Sequence, residues 1–565
     1  MTSSATEKTW LPGALGIAAL LFAVLLPPEA YPDGKMAVIL CASFAFLAAL
    51  AGRRISAAYL GAGFALFGLL LLHSLVVSVD LYRSLEFMTV LWAYYCLYGL
   101  FRSSSPGIMR ATAVAMVVLS AIVAGYGLYQ YFWGFETLER LIMHSGSDEI
   151  IKAPALGIVA ARRVFSTLAL PGTLWGFLVM ALPFHFALMG RRRWWDAALI
   201  AGVALSLTTG FLTRSFGFLL GLTVASCFWM LAGNVRAAWK RLIVVVAAAG
   251  VCGVLFYSAR QATIQNDDPM ALRFLNWISA WQIFSTHPLG TGLNTYGVVY
   301  SQHMMPGANE TQYTHNTLLQ ILSELGYPAV LAAALGAFYL SMTRRKRPTE
   351  ISAWASRALA TALGVWALHN AIDIDVYFPS VGVVGVVIAA LFASRSGDSA
   401  TPAAIPGRAM VTAAGVISAV VVIFGAGALI SGELKQRAQA EYQERKAVAA
   451  IETLKLAQTI MPIDSSLFHD AGDILLDSSQ KLKKTEYLED ATATFQRAIA
   501  LSPQKVGPHI GYGLCLSQAG NVDAALDQIR IAKGLYPRST YVRAVEKLLT
   551  DRKIGGMRAA LSAGQ

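Results

Sequence analysis

Runs of about twenty apolar residues recur through the first three-quarters of this chain, and they limit its fold more than any other feature. A run of roughly 20 residues is what a helix needs to cross a ~30 Å hydrocarbon layer. Such runs lie near 11–27, 35–51, 56–77, 85–101, 108–132, 170–190, 196–213, 215–233, 240–257, 315–342, 353–371, 379–394 and 407–431. Lipid offers the backbone no hydrogen bonds, so runs of this length are read as helices. The expectation is an all-α, polytopic membrane bundle of about 13 spans. The first run follows Lys8, as a signal peptide would, but Pro27, Pro28, Glu29, Ala30 and Tyr31 make a poor small-residue cleavage site, so it is read as retained.

Charge divides the chain in two. Residues 11–431 hold 43 charged side chains in 421 positions and residues 432–565 hold 33 in 134, which sets a membrane domain, 1–431, before a soluble domain, 432–565. The basic residues of the short loops fall in every second loop, from Lys8 through Arg53, Arg102, Arg191, Arg236 and Arg344 to Arg408. Because Lys and Arg are retained on the cytoplasmic side, this pattern predicts a cytoplasmic N-terminus. Eighteen of the 45 basic residues are accounted for in this way, so the net charge of +12 is mostly a topology signal and calls for no nucleic-acid partner. Thirteen crossings then place the tail outside the cytoplasm, together with the long segments 133–169 and 258–314. Long loops on a rigid scaffold are where function tends to sit. Four of the five cysteines lie in spans and Cys515 in the tail, a distribution that indicates no disulfide framework.

The tail reads as a helical repeat. The stretches ending at Pro462, Pro503 and Pro537 share a small-residue helix closed by an apolar residue and proline, and the last two prolines are 34 apart, the tetratricopeptide period. The first interval is 41, which predicts an insertion around Ser478 to Glu486. Stacked helix pairs of this kind form a concave surface suited to an envelope protein or another partner. A plain helical cap on the membrane domain is the other reading.

Polar groups on the predicted outer side supply the candidate chemistry. Arg162 and Arg163 stand just before a span, and Arg214 sits at the turn between two others. Each alone could be an interfacial anchor, but an arginine beside hydrocarbon generally has a partner, and guanidinium groups suit phosphate oxygens. Arg273 shares a helix face with Trp277 and Trp281 at i, i+4 and i+8, a pattern of an amphipathic helix on the outer surface. The glycines and prolines of HPLGTGLN specify turns, and His287 before Pro288 is read as structural. His315 and Asn316 open the apolar run 315–342. In a first helical turn, the positive end of the helix dipole would disfavour the imidazolium and leave His315 able to accept a proton.

The stretch THNTLLQILSELG, a histidine followed by asparagine, nine residues and Gly326, resembles the signature of the O-antigen ligase family, which is similar to O-antigen and exopolysaccharide polymerases. HPLGTGLNTY resembles the preceding part of that family's external loop, and RVFSTLALPGTLWGFLVMALP resembles its arginine-led motif before a mid-chain span. The resemblance covers about 160–345. Leu170, Pro171 and Gly172 stand where an Asn-Pro-Asn run is common; Arg214 precedes Ser215 and Gly217 where the family has Ser-Arg-Gly; and Ala329 replaces a second glycine.

The resemblance implies a GT-C-like, inverting glycosyltransferase in the bacterial inner membrane, working on the periplasmic side with its C-terminal domain there too. Its donor would be a glycan on undecaprenyl diphosphate, and its acceptor lipid A-core or a growing glycan. His315 would take the acceptor proton while Arg163 and Arg214, with Arg162 and Arg273, face the diphosphate; no cofactor or metal is implied. Asn316 is placed with the substrate-binding groups. Asp373 and Asp375 form a short acidic pattern that could hold a divalent ion, but Asp373 is read as orienting His315 or an arginine. Three other readings stay open: a protein O-oligosaccharyltransferase, a lipid-glycan transporter, and an envelope assembly scaffold.

Overall fold

The computed structural model describes residues 3–144, 149–190, 192–215, 217–231, nine scattered positions between 243 and 258, 269–332, 353–394 and 404–563. Helix is the only regular secondary structure among these residues, with no strand. In chain order the helices are α1 (Ser3–Leu25), α2 (Pro32–Ala51), α3 (Ala57–Val77), α4 (Leu81–Arg102), α5 (Pro106–Tyr129), α6 (Phe135–His144), α7 (Glu149–Ala160), α8 (Pro171–Leu188), α9 (Arg193–Leu212) and α10 (Gly217–Leu231). There follow α11 (Pro269–Thr286), α12 (Tyr296–His303), α13 (Thr317–Leu325), α14 (Ala353–His369), α15 (Pro379–Ala393) and α16 (Arg408–Gln443). The tail contributes α17 (Ala447–Ile460), α18 (Ser465–Leu482), α19 (Thr485–Leu501), α20 (Val506–Gln518), α21 (Val522–Leu535) and α22 (Thr540–Ala563).

Six of the described helices are long and apolar enough to cross a membrane: α2, α3, α8, α9, α16 and the run Pro106–Met143. Trp10–Leu25, α10 and α15 are apolar but shorter. The chain is therefore a membrane protein, although the described helices do not reproduce thirteen full spans. The expected span at 315–342 is described only as far as residue 332, with helix again at 327–332, and its start differs from the expectation. The run 315–342 is not one helix from its start, because α13 stops after nine residues at Gly326, whose φ is 63° and ψ −149°. The expected span at 240–257 falls mostly outside the described residues.

Helix α8 forms the centre of the bundle, with 83% of its apolar window buried. Leu170, in extended conformation, feeds Pro171 into its first turn, where the missing N–H costs nothing. Trp175 is fully buried and donates from Nε1 to Gly217 O at 2.9 Å. Gly210 and Gly221 lie against its ring, where a Cβ would collide, so small residues on α9 and α10 allow these helices to close on α8.

The helix begun at Pro106 outruns the expected span, passing through a π turn at Gln130–Gly134 into α6. A π turn inserts one residue into the helix and re-aims a side chain. Here it turns Gln130 toward a neighbouring loop, and its Oε1 accepts from Phe165 N at 3.0 Å and Ser166 N at 2.9 Å. Helix α16 is 36 residues long and continuous through Ser431. At 1.5 Å per residue it extends well beyond a ~30 Å layer, and its last turns pack with the tail helices around Leu454, Leu475 and Phe495.

The tail helices stack on their sequence neighbours, with Phe495 buried against Gly472 and Gly511. Ser478 to Glu486, expected to be an insertion, forms the end of α18, a turn with Lys483 in the left-handed region, and the start of α19. The tail also touches the loops of the membrane domain. Lys505 Nζ lies 2.7 Å from Asp80 Oδ2, Ser502 Oγ donates to Val79 O at 3.1 Å, and Arg538 Nε donates to Met304 O at 2.7 Å.

Candidate active site at the His315 turn

His315 lies in the turn before α13, with φ at +55°. The expectation that it stands in the first helical turn is corrected: Asn316 is the cap, its Oδ1 accepting from Leu319 N at 3.0 Å, and His315 precedes it. A non-glycine residue in the left-handed region costs ~1–2 kcal/mol and persists where surrounding bonds over-determine it. Those bonds are present on both sides of His315. Thr314 N donates to Gln320 Oε1 at 2.8 Å, and Asn316 Nδ2 donates to Ala371 O at 2.8 Å. Thr317 N reaches Asn370 O at 2.9 Å, and Thr317 Oγ1 lies 2.6 Å from Asn370 Oδ1. Together they lock the start of α13 to the turn that follows α14.

That turn supplies Asp373. Its Oδ1 is 3.3 Å from His315 Nδ1 and accepts from Ile374 N at 3.0 Å, while its Oδ2 is 3.7 Å from an Arg273 guanidinium nitrogen. Burial by itself would raise the Asp373 carboxyl; the His315 hydrogen bond and the field of Arg273 lead the causes that outweigh it and hold the group well below the usual carboxylate range. An ionised Asp373 facing Nδ1 fixes the tautomer with its proton there and leaves Nε2 as the acceptor. Trp277 Nε1 donates to His315 O at 3.4 Å, so the helix of Arg273 and Trp277 closes the site from the other side. On the same helix, Phe274, Ile278 and Trp281 are exposed and Asn276, Ala280 and Ile283 are buried.

Behind Asp373 lies a second pair, His369 Nδ1 against Asp375 Oδ2 at 2.8 Å, both buried. Gly172 and Gly176 on α8 make room for these side chains: a Cβ on the first would come 3.0 Å from Asp373 Oδ2, and on the second 3.0 Å from His369 Cε1. Asp373 and Asp375 thus turn to different partners, and no group of three or more His, Cys, Asp or Glu able to hold a metal occurs among the described residues.

Arg163 and Arg214 meet each other's loops. Arg163 Nε donates to Thr213 O at 3.3 Å and Arg214 NH1 donates to Ala161 O at 2.9 Å, so each caps the other's loop, and Val164 N donates to Leu212 O at 3.1 Å between them. Arg214 has φ at +48° and lies in the turn rather than on a helix. Three residues on, Gly217 faces His369, a Cβ there lying 3.7 Å from Nε2, so the segment that follows Arg214 runs past the His369–Asp375 pair. Arg162 points elsewhere, donating to Tyr131 O at 2.7 Å with its guanidinium 5.2 Å from the ring centroid. The structure therefore joins His315, Asp373 and Arg273, pairs Arg163 with Arg214, and turns Arg162 toward Tyr131.

Sequence reasoning missed the group that holds the site's frame. Glu324 is fully buried, and four donors converge on its carboxylate: Asn294 N at 2.7 Å, Tyr377 Oη at 2.6 Å, Gln320 Nε2 at 2.7 Å and Tyr296 N at 3.3 Å. Its backbone carbonyl accepts from Thr291 and Gly292 of the HPLGTGLN turns. Gln320 links it to Thr314 and so to His315. The signal was present, since Gln320 and Glu324 are polar at i and i+4 inside an otherwise apolar run.

An all-helical membrane chain whose polar side chains gather at one set of interhelical turns defines a membrane protein with a buried-edge ionic site. Residues 201–334 match the family model described as Wzy_C, O-antigen ligase, so this part of the chain is similar to that family. The matched range contains Arg214, Arg273, His315 and Glu324; Arg163 and Asp373 lie outside it. No curated protein matches the chain.

Proposed function

We propose that this protein is an inverting glycosyltransferase that moves a glycan from a polyprenyl diphosphate to a sugar hydroxyl, on lipid A-core or on a growing polysaccharide, at the periplasmic face of the inner membrane. The observation that carries the reading is the His315 to Asp373 contact with Arg273 on the second carboxylate oxygen. A neutral imidazole oriented by an ionised carboxylate is the arrangement of a general base.

The acceptor oxygen attacks the anomeric carbon from the face opposite the diphosphate. A C–O bond to the acceptor forms as the bond from that carbon to the diphosphate oxygen breaks, which inverts the centre. The acceptor proton passes to His315 Nε2, and the bond electrons leave with the diphosphate. Arg163 and Arg214 stabilise the charge that builds there, and such preorganised cations are commonly worth 10²–10³ in rate. Arg273 keeps Asp373 ionised and in place. The tail grips the loops carrying the site and can hold an acceptor or an envelope protein close to it.

The test compares a deletion strain complemented with the wild type or His315→Ala, resolving lipopolysaccharide from secreted polysaccharide. Bare lipid A-core with carrier-linked polymer identifies a ligase, and single repeat units identify a polymerase. Wild-type glycans from His315→Ala, expressed at the wild-type level, would overturn the mechanism.

A further inference from the structure

A cavity of about 270 Å³ opens between the turn after α1, the first turns of α2 and α4, and helix α16, sharing none of its lining residues with the His315 site. Its polar end holds Glu29, Lys35, Tyr82 and Glu86, and its apolar wall is formed by Met36, Ile39, Phe424, Ala428 and Leu429. Lys35 Nζ and Glu86 Oε1 pair at 2.6 Å, with both side chains partly exposed. Glu29 is anchored from behind, its Oε1 accepting from Ser380 N at 2.9 Å and Ser380 Oγ at 2.7 Å. The other oxygen, Oε2, is buried and has no hydrogen-bond partner among the described residues.

An unpartnered buried carboxylate oxygen is costly unless a donor reaches it. Burial raises the Glu29 carboxyl despite the Ser380 bonds, the condition that a neighbouring cation reverses. Two carboxyl groups face one ammonium here, so an acceptor is left over for a second cationic donor. The apolar wall selects among cations. Phe424, Ala428 and Leu429 belong to a helix long and apolar enough to span a membrane, and Met36 and Ile39 to a second, so a hydrocarbon chain would continue from the cavity along both. At about 270 Å³ the space suits a headgroup rather than a whole lipid.

We infer that this cavity binds the headgroup of a membrane lipid bearing a primary ammonium, of the phosphatidylethanolamine type, with the ammonium donating to Glu29 and Glu86, the phosphate beside Lys35, and the acyl chains along α2 and α16. A primary ammonium has three N–H donors to give these acceptors, whereas a trimethylated one has none.

The test is native mass spectrometry of the full-length protein titrated with phosphatidylethanolamine, phosphatidylcholine or phosphatidylglycerol, with soluble phosphoethanolamine as competitor. The expected result is retention of phosphatidylethanolamine about tenfold above the other two, as one charge-assisted hydrogen bond implies, and loss of that preference in Glu29→Gln. Gly432→Leu keeps the result interpretable if the first variant folds poorly, because it fills the cavity from α16 at a position with nothing within 4 Å of a new Cβ. It should abolish the preference with an unchanged melting temperature. Equal retention of the three lipids, or an unaltered preference in Gly432→Leu, would overturn the inference. So would full displacement by soluble phosphoethanolamine at equal concentration, which would mark a site for free amines.

Discussion

His315 Nδ1 faces Asp373 Oδ1 at 3.3 Å across 58 positions of sequence, joining the loop before α13 to the turn after α14. Each residue is tied to its own helix, Thr314 N donating to Gln320 Oε1 on α13 and Asp373 N to His369 O at the end of α14. The bonds of Asn316 Nδ2 to Ala371 O and Thr317 N to Asn370 O then dock one turn on the other and bring the pair together.

Asp373→Asn keeps the shape of the side chain but removes the charge that orients His315. An amide can present its NH₂ to Nδ1 and favour the opposite tautomer, with the proton on Nε2. Transfer measured with purified protein and lipid-linked glycan should fall by about 10²-fold or more, mainly in kcat. An undiminished kcat would remove Asp373 from the mechanism.

Arg273 and Asp373 should be energetically coupled. Their 3.7 Å contact is partly shielded from water, with side chains 17% and 9% exposed. A double-mutant cycle of Arg273→Met and Asp373→Asn, read by thermal unfolding, should give a coupling of about 0.5–3 kcal/mol. Additive effects would show that the pair does not act as a unit.

Glu324→Gln should destabilise the fold by about 1–3 kcal/mol. Both carboxylate oxygens accept from backbone N–H groups, so in either orientation the glutamine NH₂ meets another donor. Helix α13 lies outside the helices able to span a membrane, and burial pushes the Glu324 carboxyl up to about 7, with bonds from Tyr377, Asn294, Gln320 and Tyr296 opposing. The folded value lies above the ordinary one, so the folded chain takes up a proton between about pH 4.5 and 7. This group's contribution is therefore complete at the acid end of that window and is lost as pH rises through 7. Melting temperatures across pH 5–8 should show that slope in the wild type and lack it in Glu324→Gln.

Lys505→Met should loosen the tail. Asp80 is 1% exposed and caps α4 through Oδ1, so removing the Lys505 ammonium strands a buried charge, at a cost of about 3–5 kcal/mol. Proteolysis of the intact protein should cut near α20 faster than in the wild type, and adding Asp80→Asn should restore much of the resistance. Unchanged proteolysis would show that the ion pair does not fasten the tail.

Much of the design can be read along the chain. The apolar runs mark the membrane helices at α2, α3, α8, α9 and α16, because length and composition alone decide whether a helix can cross hydrocarbon. The family likeness at THNTLLQILSELG is equally local, as is the turn chemistry of HPLGTGLN, where Gly290 and Gly292 take the positive φ values that glycine permits. Helix continuity is less legible. Gly326 ends α13 inside what reads as one long apolar run, and the helix begun at Pro106 continues where polarity implies an end, since these outcomes depend on packing against Pro288 and the Arg162–Ser166 loop.

By itself the sequence determined an all-helical membrane chain with a charged tail, and it named His315, Arg273 and Asp373 as residues of interest. Periodicity and composition are properties of neighbours in the chain, and they suffice for that. Only the tertiary structure decided that Asp373 meets both His315 and Arg273, that Arg163 and Arg214 hold each other's loops, that Arg162 turns to Tyr131, and that Glu324 fixes the frame. Those contacts bridge segments far apart in sequence, and their partners are chosen by which helix ends the packed bundle brings within hydrogen-bond distance.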